Sequence, residues 1–353
     1  MAKRPTYQAR PIGTVVSDRP PFTVSPAMLA LVAGIGERVG QLEAFLPPER
    51  QLLLRRANQL RTIQGSLAIE GNTLSLDQVT AVVAGKRVLG TTREVQEVRG
   101  AVAAYERMGT WDPGSRDHLL AAHSVLMAGL VDKPGRFRTG AAGIQRGEQV
   151  VHVAPPAGNV RALINDLLTY VRQSEDHPLI AACVFHYEFE FIHPFVDGNG
   201  RMGRLWQTLI LSRWRPLFAL VPVESMIRDQ QAGYYEALNA SNRAGESTPF
   251  IRFMLQIIHD TLAAMGNGTD QVTVQVTEQV HRLIKVLGAK PASARDLMTR
   301  LHLRHRPNFT ATYLNPALES GVITMTRPDT PRSSRQQYAL TDRGRALLAE
   351  TTK

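Results

Sequence analysis

At 353 residues the chain is long for one domain and suits two or three, and a hydrophobic share of 43% is ordinary for a globular protein. A single cysteine, Cys183, excludes an internal disulfide framework and suits a reducing compartment. No run of about 18 apolar residues occurs, which excludes a membrane span, and the formal net charge of +10 is weighted towards the C-terminal end.

In chain order, the first 25 residues are rich in Pro, Arg and Thr and read as an extended arm. They lack the apolar stretch of a signal peptide, so a cytoplasmic location is expected. A helix is predicted from Pro26 to Phe45 and another from Pro48 into Ser66-Leu-Ala-Ile-Glu-Gly-Asn72. Ser66 and Glu70 lie four apart, on one helix face, and Gly71 is a natural stop after them. Leu119 to Leu130 reads as helix, followed by Pro134-Gly-Arg-Phe-Arg138. The β-branched residues of Gln149-Val-Val-His-Val153, after Gly147, predict a short hairpin within Ile144–Pro156. Residues Ala181 to Ile192 form a strongly apolar helix, with Phe185, Phe189 and Ile192 on one face.

Pro194 stops that helix and opens the most informative stretch, His193-Pro-Phe-Val-Asp-Gly-Asn-Gly-Arg-Met-Gly-Arg204. His193 falls at the helix end, where a turn can present its ring to a cleft. Phe195, apolar in a polar loop, reads as an anchor into the core. Gly198-Asn199-Gly200 can take positive φ, so that successive N–H groups converge on an anion. The helix that follows adds its own N-terminal amides. Arg201 and Arg204 share a face of it, and two guanidinium forks suit a polyphosphate. Asp197 would repel phosphate unless a divalent cation lay between them, and Mg²⁺ uses one or two carboxylates plus substrate phosphates. A base, a metal carboxylate and a polyphosphate cradle make nucleotidyl or phosphoryl transfer the natural reaction class. The loop is not a P-loop, since no Gly-x-x-x-x-Gly-Lys-Ser/Thr occurs.

The stretch resembles the signature of the Fic family, His-x-Phe-x-Asp/Glu-Gly-Asn-Gly-Arg-x-x-Arg, at every specified position. The resemblance implies a helical core that moves AMP from ATP onto a Ser, Thr or Tyr hydroxyl of a target protein and of itself, releasing pyrophosphate. It makes His193 the general base and Asp197 the Mg²⁺ ligand. Gly198, Asn199 and Gly200 would hold phosphates, and Arg201 and Arg204 the distal ones. A lysine in place of Gly200 would mark the kinase-like branch. Leu119 to Arg138 looks like the family's approach to a substrate-binding flap, which makes Ile144–Pro156 that flap. Its free edge could hold a target peptide by strand addition. Tyr234, Tyr235 and Asn239 fall in a segment that resembles the one bordering the nucleotide base. Ser66–Asn72 matches the family's inhibitory motif, so Glu70 would engage Arg204 and leave ATP bound non-productively. The family's brake is often tuned by subunit contacts, which makes a homodimer an expected arrangement.

Gly266 to Asp270 reads as a linker. Beyond it, Gln275 to Leu287 is amphipathic through Val276, Val280, Ile284 and Leu287. Ser293 can cap a second helix, and Asn308 a third over Ala311–Ser320 that ends at Gly321. Val322–Thr326 and Gln336–Leu340 read as strands, and a closing helix follows Thr341. This order resembles a winged helix-turn-helix. Residues 270–353 hold thirteen Lys/Arg against seven Asp/Glu. Arg304, His305 and Arg306 lie before the presumed recognition helix, and Arg327, Arg332 and Arg335 in the wing. That is the footprint of a phosphate-backbone binder, with docking on protein as the other reading.

The expected chain is therefore mainly α, with a Fic helical-bundle core, a short β-hairpin flap and a C-terminal winged-helix (α+β) domain. Its expected divisions are an arm over 1–25, an N-terminal helical region over 26–112, a catalytic core over 113–265, a linker over 266–270 and the winged helix over 271–353. Two rival functions are a DNA-binding regulator with a nucleotide-sensing core and an enzyme that removes AMP from modified proteins. The target protein is not legible in the sequence.

Overall fold

Prolines and side-chain caps set most helix starts in the computed structural model, which describes residues 19–45, 48–146, 149–267, 278–288, 290–303, 305–327, 333 and 335–350. The chain divides into two compact units, Met1–Gly266 and Asn267–Lys353. The first holds α1 (Pro26–Phe45), α2 (Pro48–Ile69), α3 (Leu76–Val83), α4 (Thr92–Arg107) and α5 (Arg116–Leu126). A hairpin of β1 (Gly143–Arg146) and β2 (Gln149–Val153) follows. Then come α6 (Ala157–Gln173), α7 (Pro178–Ile192), α8 (Asn199–Trp214), α9 (Val223–Asp229), α10 (Gln231–Ala244) and α11 (Thr248–Asn267).

The centre of this unit is the helical hairpin α7–α8. Thirteen residues of α7 are buried, on all sides rather than on the single face the spacing predicts. A helix apolar all round has neighbours all round. Phe185, Phe189 and Trp206 are fully enclosed, each contributing about 1.5–3 kcal/mol by burial. The indole N–H of Trp206 donates to Pro113 O at 2.9 Å. Capping boxes start α3 (Ser75 with Gln78) and α4 (Thr91 with Glu94). Hydrogen bonds from Thr73 and Thr91 hold the Glu94 carboxyl down at about 2.

Helix α2, which ends in the Ser66–Asn72 stretch, is bolted to the segment 220–231. A Cβ at Gly65 would stand 2.8 Å from the carbonyl carbon of Glu224, so only glycine allows α2 and α9 this close. Asn58 Nδ2 donates to Leu220 O at 2.8 Å, and Gln231 Nε2 to Ile69 O at 2.8 Å. The end of α2 is thus a fixed part of the core. The strands β1 and β2 pair antiparallel with a bulge between Ile144 and Gln145, as the hairpin prediction required.

Residues 19–25 lie along the unit, where Thr23 N donates to Thr248 Oγ1 and Ser247 N to Pro21 O. Residues 1–18 of the expected arm lie outside the described residues. Helix α11 runs through Asn267, two residues into the expected linker, because nothing in Gly266-Asn267 caps it earlier.

The second unit comprises α12 (Glu278–Leu287), β3 (Ala292–Ser293), α13 (Ala294–Arg300) and α14 (Arg306–Phe309). A wide π turn over Thr310–Leu314 joins α14 to α15 (Asn315–Glu319), followed by β4 (Ile323–Met325), β5 (Gln337–Leu340) and α16 (Asp342–Glu350). Ser293 caps α13 as predicted, through a capping box with Asp296. The third helix begins at Arg306, so Asn308 lies inside it and Arg306 opens it rather than preceding it. The backbone N–H of Phe309 is already bonded to His305 O at 3.1 Å. The strands form an antiparallel sheet in the order β3-β5-β4, one strand more than the sequence predicts. Val276, Arg304 and Arg332 lie outside the described residues.

Candidate active site

His193 closes α7 in the left-handed region (φ 49°, ψ 60°), so the chain turns sharply out of the helix at this residue. Arg138, 4% exposed, holds that turn. Its guanidinium donates to His193 O at 2.7 Å and Ile192 O at 3.2 Å, and to Gly140 O at 2.8 Å and Pro155 O at 2.5 Å, which flank the hairpin. One cation therefore neutralises the carbonyl end of α7 and ties the hairpin to the turn. Phe195 is fully buried, as its anchoring role requires, and stacks on His123 at 3.6 Å. His123 Nδ1 accepts from Gly135 N at 2.8 Å, which leaves the proton on Nε2 for Asp197 O at 3.0 Å. Burial pushes this imidazole down to about 4, so it stays neutral. Arg138 and His123 were not singled out from sequence, because their partners are carbonyl groups distant in the chain.

The glycine loop differs from the expected nest. Only Gly198 takes positive φ (+84°); Asn199 and Gly200 are already in the first turn of α8. The anion site is therefore a helix N-terminus, with free amides and a positive dipole end. Asn199 is not available to phosphate through its side chain, contrary to the sequence expectation. It is 2% exposed, and its amide accepts from Phe195 N and donates to Phe195 O, both at 2.9 Å.

Over that helix start lies the carboxylate of Glu70. A Cβ at Gly200 would stand 2.3 Å from Glu70 Oε1, so Gly200 provides the space this oxygen occupies. The same oxygen accepts from Arg204 Nη2 at 2.7 Å. Arg204, itself 2% exposed, also donates through Nε to Ser66 Oγ and through Nη2 to Ser66 O, both at 3.0 Å. The contact with Glu70 is a single hydrogen bond, because the fork is shared with Ser66. A Schellman turn sets Glu70 here. Asn72 N donates to Leu67 O at 3.1 Å and Gly71 N to Ala68 O at 3.0 Å, with Gly71 at φ +89°.

Arg201 and Arg204 share a helix face, yet their guanidinium groups go to different partners. Arg201 Nη2 reaches Asp197 Oδ1 at 3.2 Å and Nη1 reaches Glu97 Oε1 at 3.5 Å. Asp197 Oδ1 also accepts from Gly198 N at 2.6 Å, and Oδ2 from Arg93 Nη2 at 2.8 Å. Burial opposes ionisation of Asp197, but Arg201, the Gly198 amide and Arg93 outweigh it and hold the carboxyl below its usual range. Among the described residues no group of three or more His, Cys, Asp and Glu side chains surrounds a metal position. One ionised, partly exposed carboxylate beside an anion site does fit Mg²⁺ held chiefly by nucleotide phosphates.

The residues expected at the base divide. Tyr234 is 2% exposed and its hydroxyl lies 3.1 Å from His186 Nε2, so it belongs to the core and not to a nucleotide pocket. Tyr235 is half-buried with its hydroxyl 3.4 Å from Ile69 O, next to Glu70. Asn239 stands half-buried one turn further along α10.

Beneath Arg204, His186 Nε2 and Glu190 Oε1 approach to 3.9 Å. They do not form an ion pair at neutral pH. Burial, aided by Arg204, drives His186 down to about 3, and burial, aided by Glu70, drives Glu190 up to about 8. A carboxyl raised in the folded state is ionised first in the unfolded chain, so stability falls as pH rises from about 4.5 to 8. Glu190→Gln removes that slope. Its thermal midpoint minus that of the parent should grow between pH 5 and pH 8; a constant difference would show an ionised Glu190 in the fold.

The Fic/DOC family description matches residues 113–211, and that of the Fic-like C-terminal domain (filamentation induced by cAMP protein) matches residues 278–341. A crystal structure of a Fic family protein from Desulfovibrio desulfuricans G20 is 53% identical and superposes with a TM-score of 0.69 over 92% of this chain and 98% of that one. The chain belongs to the Fic family. Among curated Fic relatives, protein adenylyltransferase fic-1 of Caenorhabditis elegans is 31% identical over 59% of this chain and 42% of its own length. Protein adenylyltransferase Fic of Drosophila willistoni is 29% identical over 69% of this chain and 51% of its own. The chain thus spans about half the length of the curated relatives it matches. The Caenorhabditis elegans Fic-1 structure, at 23% identity and a TM-score of 0.58, shares the fold.

Proposed function

We propose that the chain is an autoinhibited protein adenylyltransferase. The observation that carries the reading is Glu70: the chain places its own carboxylate between the start of α8 and Arg204, where an anionic substrate would bind. Relatives named protein adenylyltransferase supply the reaction. The hydroxyl oxygen of a target Ser, Thr or Tyr attacks the α-phosphorus of ATP, and the bond to the bridging oxygen breaks in line, releasing pyrophosphate. His193 takes the hydroxyl proton. The amides of Asn199 and Gly200 at the start of α8 and the guanidinium groups of Arg201 and Arg204 bind the phosphates, with Gly198 turning the chain into that start and Tyr235 and Asn239 on the side of the base. Asp197, with the phosphates, would hold Mg²⁺, which supplies charge neutralisation. The hairpin Gly143–Val153 offers an edge for a target strand.

Mass spectrometry of lysate proteins after incubation with the Glu70→Gly protein, ATP and Mg²⁺ tests this. AMP on a hydroxyl side chain is expected. Loss of AMP from a pre-modified target, with no gain elsewhere, would assign the reverse reaction instead.

For the second unit, three helical segments and the strand order β3-β5-β4 support a winged helix-turn-helix. Its basic surplus suits duplex DNA. Fluorescence anisotropy with duplex DNA should show binding that weakens steeply with salt; binding insensitive to salt, or none, would leave this unit as a protein-docking module.

A further inference from the structure

We infer that Arg93 is a second latch on the resting site, occupying with its guanidinium the carboxylate that the cation needs. This rests on the role of Asp197 proposed above. Arg93 stands on α4, 104 positions before Asp197 and outside both motifs, yet its Nη2 lies 2.8 Å from Asp197 Oδ2. Oδ1 already accepts from Gly198 N and Arg201 Nη2. Each oxygen of Asp197 therefore faces a guanidinium, and a cation entering between Asp197 and the phosphates must displace at least one.

Two features make Arg93 the one that leaves. Its side chain is 56% exposed, against 4% for Arg201, so its ion pair is screened and weak. It also has somewhere to stay, because its Nε is 3.3 Å from Glu97 Oε1, one turn along α4. Glu97 is in turn fixed by the inhibitory turn, where Asn72 Nδ2 donates to Glu97 Oε2 at 2.9 Å. The resting state thus closes two positions by different means. Glu70 fills the phosphate site through Arg204, and Arg93 covers the cation site through Asp197. A state that must be vacated lowers apparent affinity by the fraction of time it is vacant.

The test is Mn²⁺ binding by the full chain carrying Glu70→Gly, with a non-hydrolysable ATP analogue, followed by electron paramagnetic resonance of the free ion. Arg93→Gln should tighten Mn²⁺ about two- to fivefold, the range of an exposed ion pair. Glu97→Gln removes the resting place of Arg93 and should weaken it. Mn²⁺ affinity that depends on Asp197 but is unchanged or weaker in Arg93→Gln overturns the latch alone. Affinity unmoved by Asp197→Asn overturns the assignment of Asp197, and the latch with it. Thermal midpoints within a degree or so of the parent show that the exposed Arg93 substitution left the fold intact.

Discussion

Replacing Glu70 by glycine should raise adenylyl transfer about tenfold or more. A hydrogen bond to a charged partner is worth about 1.5–3 kcal/mol, or about one to two decades in a competing equilibrium. Glu70 is 35% exposed in its side chain while Arg204 is 1% exposed, so solvent screening places the effect towards the lower end. Because Gly65 and the bonds to Leu220 and Gln231 fix α2, only the Glu70 side chain has to leave the cradle. The variant should also expose the cost of the pairing. Without Glu70 the buried Arg204 keeps only Ser66, so the nucleotide-free protein should melt lower than the parent. An ATP analogue should then raise its melting temperature more than it raises the parent's. Equal self-modification by parent and variant, read by label transfer from α-labelled ATP, would remove the brake from the account.

Local chemistry explains what the sequence made legible. Pro26 and Pro48 open helices at the positions a proline tolerates, and Ser293 caps α13, so those boundaries could be read residue by residue. His193 to Arg204 is contiguous, and the Ser66–Glu70 spacing is a single helical turn, so both motifs survive in one dimension. Residues whose role depends on a distant partner did not. Arg138 serves His193 across 55 positions, and His123 serves Asp197 across 74. Arg93 reaches Asp197 across 104. No periodicity or spacing reports such pairs. The misreadings have the same origin. Asn199 has the chemistry of a phosphate ligand, but its amide is consumed by Phe195, four residues back. Tyr234 falls in the segment that resembles the family's border to the nucleotide base, yet its hydroxyl is taken by the buried His186.

His193→Ala should cost transfer about 10²–10⁴-fold, the range of a positioned general base, without loss of nucleotide affinity. The turn itself does not need the imidazole, since Arg138 holds the carbonyl oxygens of residues 192 and 193. It does need left-handed backbone at 193, which alanine adopts at a cost of about 1–2 kcal/mol and asparagine more readily. The two substitutions therefore separate chemistry from strain. Both His193→Ala and His193→Asn should lose transfer by about 10²–10⁴-fold in the Glu70→Gly background, and only the alanine variant should melt appreciably lower. Calorimetry with a non-hydrolysable ATP analogue should give the same affinity in all three proteins. Transfer retained within tenfold in the asparagine variant would mean that the base lies elsewhere. Loss of nucleotide binding in both would mean that the ring holds the substrate and does not accept its proton.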